Sequence, residues 1–200
     1  MKCNKIALAA ALVLGLGAAG SAFADGGVIT YVGNVKDSTC SVSGGPGTIG
    51  NGSSFTVNLT EADITEFPAA NVGRGVRQKE YSLSFSDGNG GACNGLTNGN
   101  AVVTIGNGAD KTNITTRGTL RNVKEGDQGA ASGVEFRLLD QNMAPVSLVG
   151  GWSTTVQVGN PTNPLPGPQV LTLGVEYYQA VAAVNAGAVE SFITYDVAYN

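Results

Sequence analysis

Apolar and polar residues alternate with a period of two through several separate stretches of this chain. Segments 55–59 and 81–85 alternate cleanly, 26–35 and 191–200 carry an apolar set on one face, and 101–105, 133–140 and 170–180 are short runs rich in β-branched, aromatic and other apolar residues. That period places successive side chains on opposite faces of an extended strand, so each segment predicts a strand. One or two further short strands are expected around Trp152 in 147–158, and a weaker one over 118–123. Clusters of Gly, Asn, Ser and Pro at 43–54, 87–91, 106–108 and 160–168 read as turns and loops. Residues 60–66 read as a short helix or loop. Residues 73–79, with Arg74, Arg77 and Lys79, read as a solvated surface segment. No long helical period occurs. Roughly seven to nine short strands predict an all-β fold, best a β-sandwich, without internal repeats or a second globular domain.

The first and last strands pose the functional question. On the first, Ile29, Tyr31, Gly33 and Val35 share one face. A glycine inside a strand weakens it unless something must approach closely there, so by itself Gly33 reads first as a bend in an ordinary strand and second as a fit to another molecule's groove. On the last, Ile193, Tyr195, Val197 and Tyr199 share a face up to Asn200. A frayed polar tail is the ordinary ending of a domain, so this apolar strand is expected to be bound to something. An immunoglobulin-like sandwich would need one more strand to cover it. Without that strand it would keep an open edge and an apolar groove.

Residues 1–24 read as a removable export signal. Lys2 and Lys5 precede an apolar run over 6–19, and Ala22-Phe23-Ala24 forms a small-x-small cleavage site. Cleavage is expected before Asp25. The expected organisation is therefore signal 1–24, N-terminal extension 25–36 and one sandwich domain 37–200. Removing the two leader lysines leaves 11 − 2 = 9 basic against 15 acidic residues, a formal charge of −6. No basic patch points to nucleic acid.

Export leaves Cys40 and Cys93 as the remaining cysteines, in a compartment where each has only the other to pair with. That bridge would contribute about 4 kcal/mol in the chain-entropy model. No metal site or cofactor is expected from two cysteines and no histidine. Asp87-Gly88-Asn89-Gly90-Gly91 opens like a calcium loop, but Asn98 stands where the closing acidic ligand belongs.

Four of these stretches, in this order, resemble the chaperone–usher pilins, the type 1-like fimbrial subunits. They are the 27–35 strand followed by Cys40-Ser41-Val42, the 133–140 strand, Tyr177-Tyr178-Gln179-Ala180, and the penultimate Tyr199. The resemblance spans essentially the whole mature chain. The cysteines stand further apart than in the best-known major subunits, and the 160–168 loop is unusual; both suggest loop insertions. The resemblance implies an incomplete immunoglobulin-like sandwich completed by a donor strand. Ile29, Tyr31, Gly33 and Val35 would enter the groove of a neighbouring pilin subunit. Ile193, Tyr195, Val197 and Tyr199 would form the rim of the acceptor groove. A periplasmic chaperone would first fill that groove and grip the Asn200 carboxylate, and an outer-membrane usher would exchange it for the next subunit's strand. The product would be a surface fimbrium supporting cell adhesion, with any host receptor unidentified.

Two other classes compete. The absence of histidine removes Ser/His and Cys/His nucleophiles. Carboxylate pairs such as Asp63 with Glu66, or Glu135 with Asp140, lie in surface-like contexts, so catalysis is not expected. A secreted immunoglobulin-like binding module, or a minor adaptor subunit, is the remaining alternative.

Overall fold

The computed structural model describes residues 40–50 and 52–200. The expected export signal and the expected donor residues Ile29, Tyr31, Gly33 and Val35 lie outside them. The described part is built of strands β1 (Ser41–Gly44), β2 (Gly75–Ser86), β3 (Asn100–Ile105), β4 (Val134–Leu139), β5 (Trp152–Gln157), β6 (Gln169–Gln179) and β7 (Tyr195–Tyr199). Its helices are three short 3-10 turns, Ile64–Glu66, Ala69–Asn71 and Ala109–Asn113.

The strands form two antiparallel sheets, β1-β2-β6-β4 and β5-β3-β7. Alternation within each strand sends one set of side chains between the sheets. Leu83 and Phe85 of β2, Leu171 and Leu173 of β6 and Leu138 of β4 meet Ala101, Val103 and Ile105 of β3 in one buried cluster. Leu148 and Val158, which bracket β5, belong to it and are fully enclosed. The expected all-β, two-sheet sandwich is the fold observed.

The Cys40–Cys93 disulfide is present, with Cα atoms 5.3 Å apart, and both cysteines lie in the core cluster. Close backbone packing surrounds it. Gly159 rests directly on the Cys93 carbonyl, where any side chain would collide. Cys93 N–H donates to the Val158 carbonyl at 2.8 Å.

Several elements depart from the sequence reading. Segment 73–79 enters strand β2 at Gly75 rather than remaining a surface loop. Its charges hide the strand, because a bulge between Val76 and Lys79 turns Arg77 outward at φ 56°. There Arg77 donates to Glu66 Oε1 at 2.7 Å and 3.0 Å. Segment 55–59 keeps its alternation, with Phe55, Val57 and Leu59 half-buried, yet among the described residues its ladder contact is a single bridge from Thr56 to Ile49. Periodicity tells which face is buried and not whether a neighbour exists. Residues 118–123 make no strand; Leu120 alone exchanges two backbone bonds with Phe136 and seals the outer edge of β4. The expected last strand begins as β7 at Tyr195, while half-burial of alternate residues continues from Ser191 through Tyr199.

Candidate functional site

β7 is the element the candidate site is built on. It stands at one flank of the three-stranded sheet, beside β3, and no further strand lies next to it among the described residues. Its register puts Tyr195 opposite Ile105, Val197 opposite Val103 and Tyr199 opposite Ala101. The direction of the backbone groups follows from the ends of this ladder. Asn200 N–H donates to the Asn100 carbonyl at 3.0 Å, and Gly106 N–H donates to the Thr194 carbonyl at 3.1 Å. Even-numbered residues of β7 therefore turn their N–H and C=O groups toward β3. Tyr195 and Val197 turn theirs to the outer flank.

The same odd residues point their side chains inward. Ile193, Tyr195, Val197 and Tyr199 all pack half-buried against the core cluster, while Phe192, Thr194, Asp196, Ala198 and Asn200 are exposed. Backbone hydrogen-bonding capacity and apolar side chains thus occur on the same residues, at the edge of the sandwich. Ile193 reaches the region beside Gly106, which adopts φ 78° there. A side chain at Gly106 would crowd both Ile193 and Ile114.

Segment 52–59 forms the facing wall. Tyr195 Oη donates to the Ser53 carbonyl at 2.8 Å, and the Phe55 ring lies 6.0 Å from the Tyr195 ring, tilted by 39°. Phe55 also sits 6.3 Å from Tyr81 of β2, so the aromatic contacts link both sheets. Burial raises the phenol pKa of Tyr195, and burial followed by the neighbouring Tyr195 raises that of Tyr199. Both stay neutral through the physiological range, as an apolar lining requires. Further along, Thr56, Asn58, Lys124, Asp127, Val189 and Glu190 are among the residues around an open cavity of about 430 Å³.

The loops behind that cavity hang on one buried amide. Asn122 Nδ2 donates to the carbonyls of Ala131 (2.8 Å) and Ala188 (3.0 Å), and its Oδ1 accepts from Lys124 (3.1 Å) and Glu190 (3.0 Å). Asn122 has no periodic signal in the sequence, being one polar residue among many. Phe55 did carry one, through its alternation with Val57 and Leu59.

The carboxylate pairs are occupied locally. Asp63 caps the Ile64–Glu66 turn and Glu66 returns the capping bond, so hydrogen bonds from Thr65 and Arg77 hold both carboxyls below their ordinary pKa. Glu135 accepts from Arg117 and Thr119, and Asp140 accepts the N–H groups of Asn142 and Ala144. Asp87 accepts the N–H groups of Asn89 and Gly91, closing the turn that resembled half a calcium loop. Among the described residues no group of three or more His, Cys, Asp or Glu side chains is placed to hold a metal.

Fold and site together define a two-sheet β-sandwich with an apolar strand at a sheet edge. No protein-family model matches the chain, and no curated protein matches it. Among solved structures it is similar to a Burkholderia pseudomallei antigen and type I fimbria protein, at 16% identity and TM-score 0.45, over 80% of this chain and 97% of that one. It is also similar to a chaperone–usher pilus studied for rod uncoiling, at 16% identity and TM-score 0.48, over 88% and 96%. A third is the P pilus rod subunit PapA, at 13% identity and TM-score 0.46, over 88% and 100%.

Proposed function

We propose that this chain is a structural subunit of a surface fimbria, assembled head to tail by strand donation. The observation that carries the reading is β7. At the flank of its sheet, Tyr195 and Val197 direct backbone groups outward and apolar side chains inward, which is what an added strand needs: hydrogen bonds for affinity and pockets for alternate residues. The sequence supplies a strand of the matching kind in Ile29, Tyr31, Gly33 and Val35. Donated from one copy to the next, it makes a contact between unlike surfaces, and such contacts propagate into a filament. Gly33 would admit the close approach of the donor backbone to the groove floor. A periplasmic chaperone would occupy the edge before assembly and hold the Asn200 carboxylate, and an outer-membrane usher would direct the exchange. Packing of the exchanged strand provides the driving force.

Thermal unfolding of two proteins tests this. One is residues 36–200; the other carries a copy of residues 25–36 after Asn200 through a short flexible linker. The expected result is a monomer that melts far higher for the second. Equal melting temperatures would mean that the sandwich is complete without the extension, and would return the protein to the secreted binding modules.

A further inference from the structure

We propose that β5 is a second docking edge, which pairs antiparallel with β5 of a second copy of this chain about a twofold axis at Thr155. β5 flanks the same sheet on the side away from β7. Val158 N–H donates to the Gly99 carbonyl at 2.8 Å, in line with the Asn100–Gln157 register. Trp152, Thr154 and Val156 therefore turn their backbone groups to β3, and Ser153, Thr155 and Gln157 turn theirs outward. Those outward groups have no backbone partner among the described residues.

Edge strands are ordinarily guarded by charge, proline, a bulge or a covering segment. Of the other edges, β4 is covered by Leu120 and by the Leu139–Pro145 bridge, β1 is only four residues long, and β7 is the edge already proposed to take a donated strand. β5 reads Trp-Ser-Thr-Thr-Val-Gln, six residues without a charge or a proline, paired with β3 in unbroken register.

The strand is also complementary to itself. With Thr155 opposite Thr155, Ser153 faces Gln157 and Thr154 faces Val156. The three outward-turned residues then meet as hydrogen-bonded pairs, giving about six backbone bonds. Side chains keep their faces: Thr154 and Val156 inward, Ser153, Thr155 and Gln157 outward. Threonine pairs across antiparallel strands are favourable, and no like charges oppose one another. One such contact is weak. It does not depend on the fimbrial reading, but between two filaments it would repeat at every subunit and hold them side by side by multivalency.

Sedimentation of the mature chain over a concentration series tests the pairing, alongside Thr155→Lys, Thr155→Glu and Thr155→Pro. The unaltered chain should form a dimer at high concentration. Each charged variant should raise the dimer dissociation constant by about tenfold, because like charges meet on the axis. An equimolar Lys/Glu mixture should restore it, which a folding defect would not do. Thr155→Pro removes an edge N–H and should weaken the dimer without adding charge. A chain that stays monomeric, variants that dimerise like the unaltered chain, or a mixture that is not rescued would each overturn the proposal. Association through β7 gives open-ended chains indifferent to Thr155, so the two readings fail separately.

Discussion

Asn94 and Leu165 hold each other in both directions. Asn94 Nδ2 donates to the Leu165 carbonyl at 3.1 Å, and its Oδ1 accepts the Leu165 N–H at 3.0 Å. The same oxygen accepts the Asn160 N–H at 2.9 Å. One side chain next to the disulfide thus holds the start and the middle of the proline-rich loop that sequence marks as unusual. Asn94→Ala should leave these backbone groups unsatisfied and cost about 1–3 kcal/mol. Limited proteolysis should find new cleavage within 160–168; an uncut loop would show that the prolines alone rigidify it.

The bridge at Cys40–Cys93 closes a loop of 53 residues in sequence. Cys40→Ser should cost about 4 kcal/mol in the chain-entropy model and lower the periplasmic yield. Unchanged yield and melting temperature under oxidising conditions would show that the bridge is dispensable.

Glu176 is almost wholly buried, and Arg137 meets its Oε1 with two nitrogens at 2.6 Å and 2.7 Å. Gly75 lies over that carboxylate, with no room for a side chain. Arg137→Met should cost about 3–5 kcal/mol, because it strands a buried charge. Adding Glu176→Leu should recover much of that loss, as measured by chemical denaturation. Additive losses would mean that the two groups do not act as a pair.

Tyr195 and Tyr199 have pKa values raised above the ordinary 10.0 by burial. The folded state then holds their protons more tightly than the unfolded state, so stability falls as pH rises from about 10 through the folded values. Alkaline titration should unfold the protein earlier than Tyr195→Phe. Identical alkaline midpoints would remove Tyr195 from the cause.

Gly33→Leu tests the donor role. If the chain assembles as proposed, the variant should still fold and bind a periplasmic chaperone, yet give poor polymer; normal filament yield would sink the close-packing role of Gly33.

Much of the sandwich was legible because a period of two survives in the sequence wherever one face is buried. Tyr81 to Phe85 shows this plainly, while Ala101 to Ile105 was marked by its β-branched residues; both lie in strands. What stayed hidden was set by neighbours distant in sequence. Arg137 stands opposite Glu176 only because β4 and β6 pair in that register, so neither residue announced a buried ion pair. Arg74, Arg77 and Lys79 masked the start of β2, because an outward-facing charged strand and a solvated loop have the same composition. At the candidate site, the face shared by Tyr195 and Val197 could be read from alternation. Its contact with Ser53 and Phe55 could not, since sequence gives no distance between segments some 140 residues apart.

The strict alternation of backbone directions on β5 and β7 has a consequence for amide hydrogen exchange. Amides of Thr154, Val156, Asp196 and Ala198 point into the sheet and exchange slowly, whereas those of Ser153, Thr155, Tyr195 and Val197 face outward and exchange fast. Along each flank, slow and fast sites form a comb. A strand arriving at one flank fills the gaps of that comb and leaves the other unchanged. Isotope uptake, residue by residue, therefore reports which side of the molecule has found its neighbour.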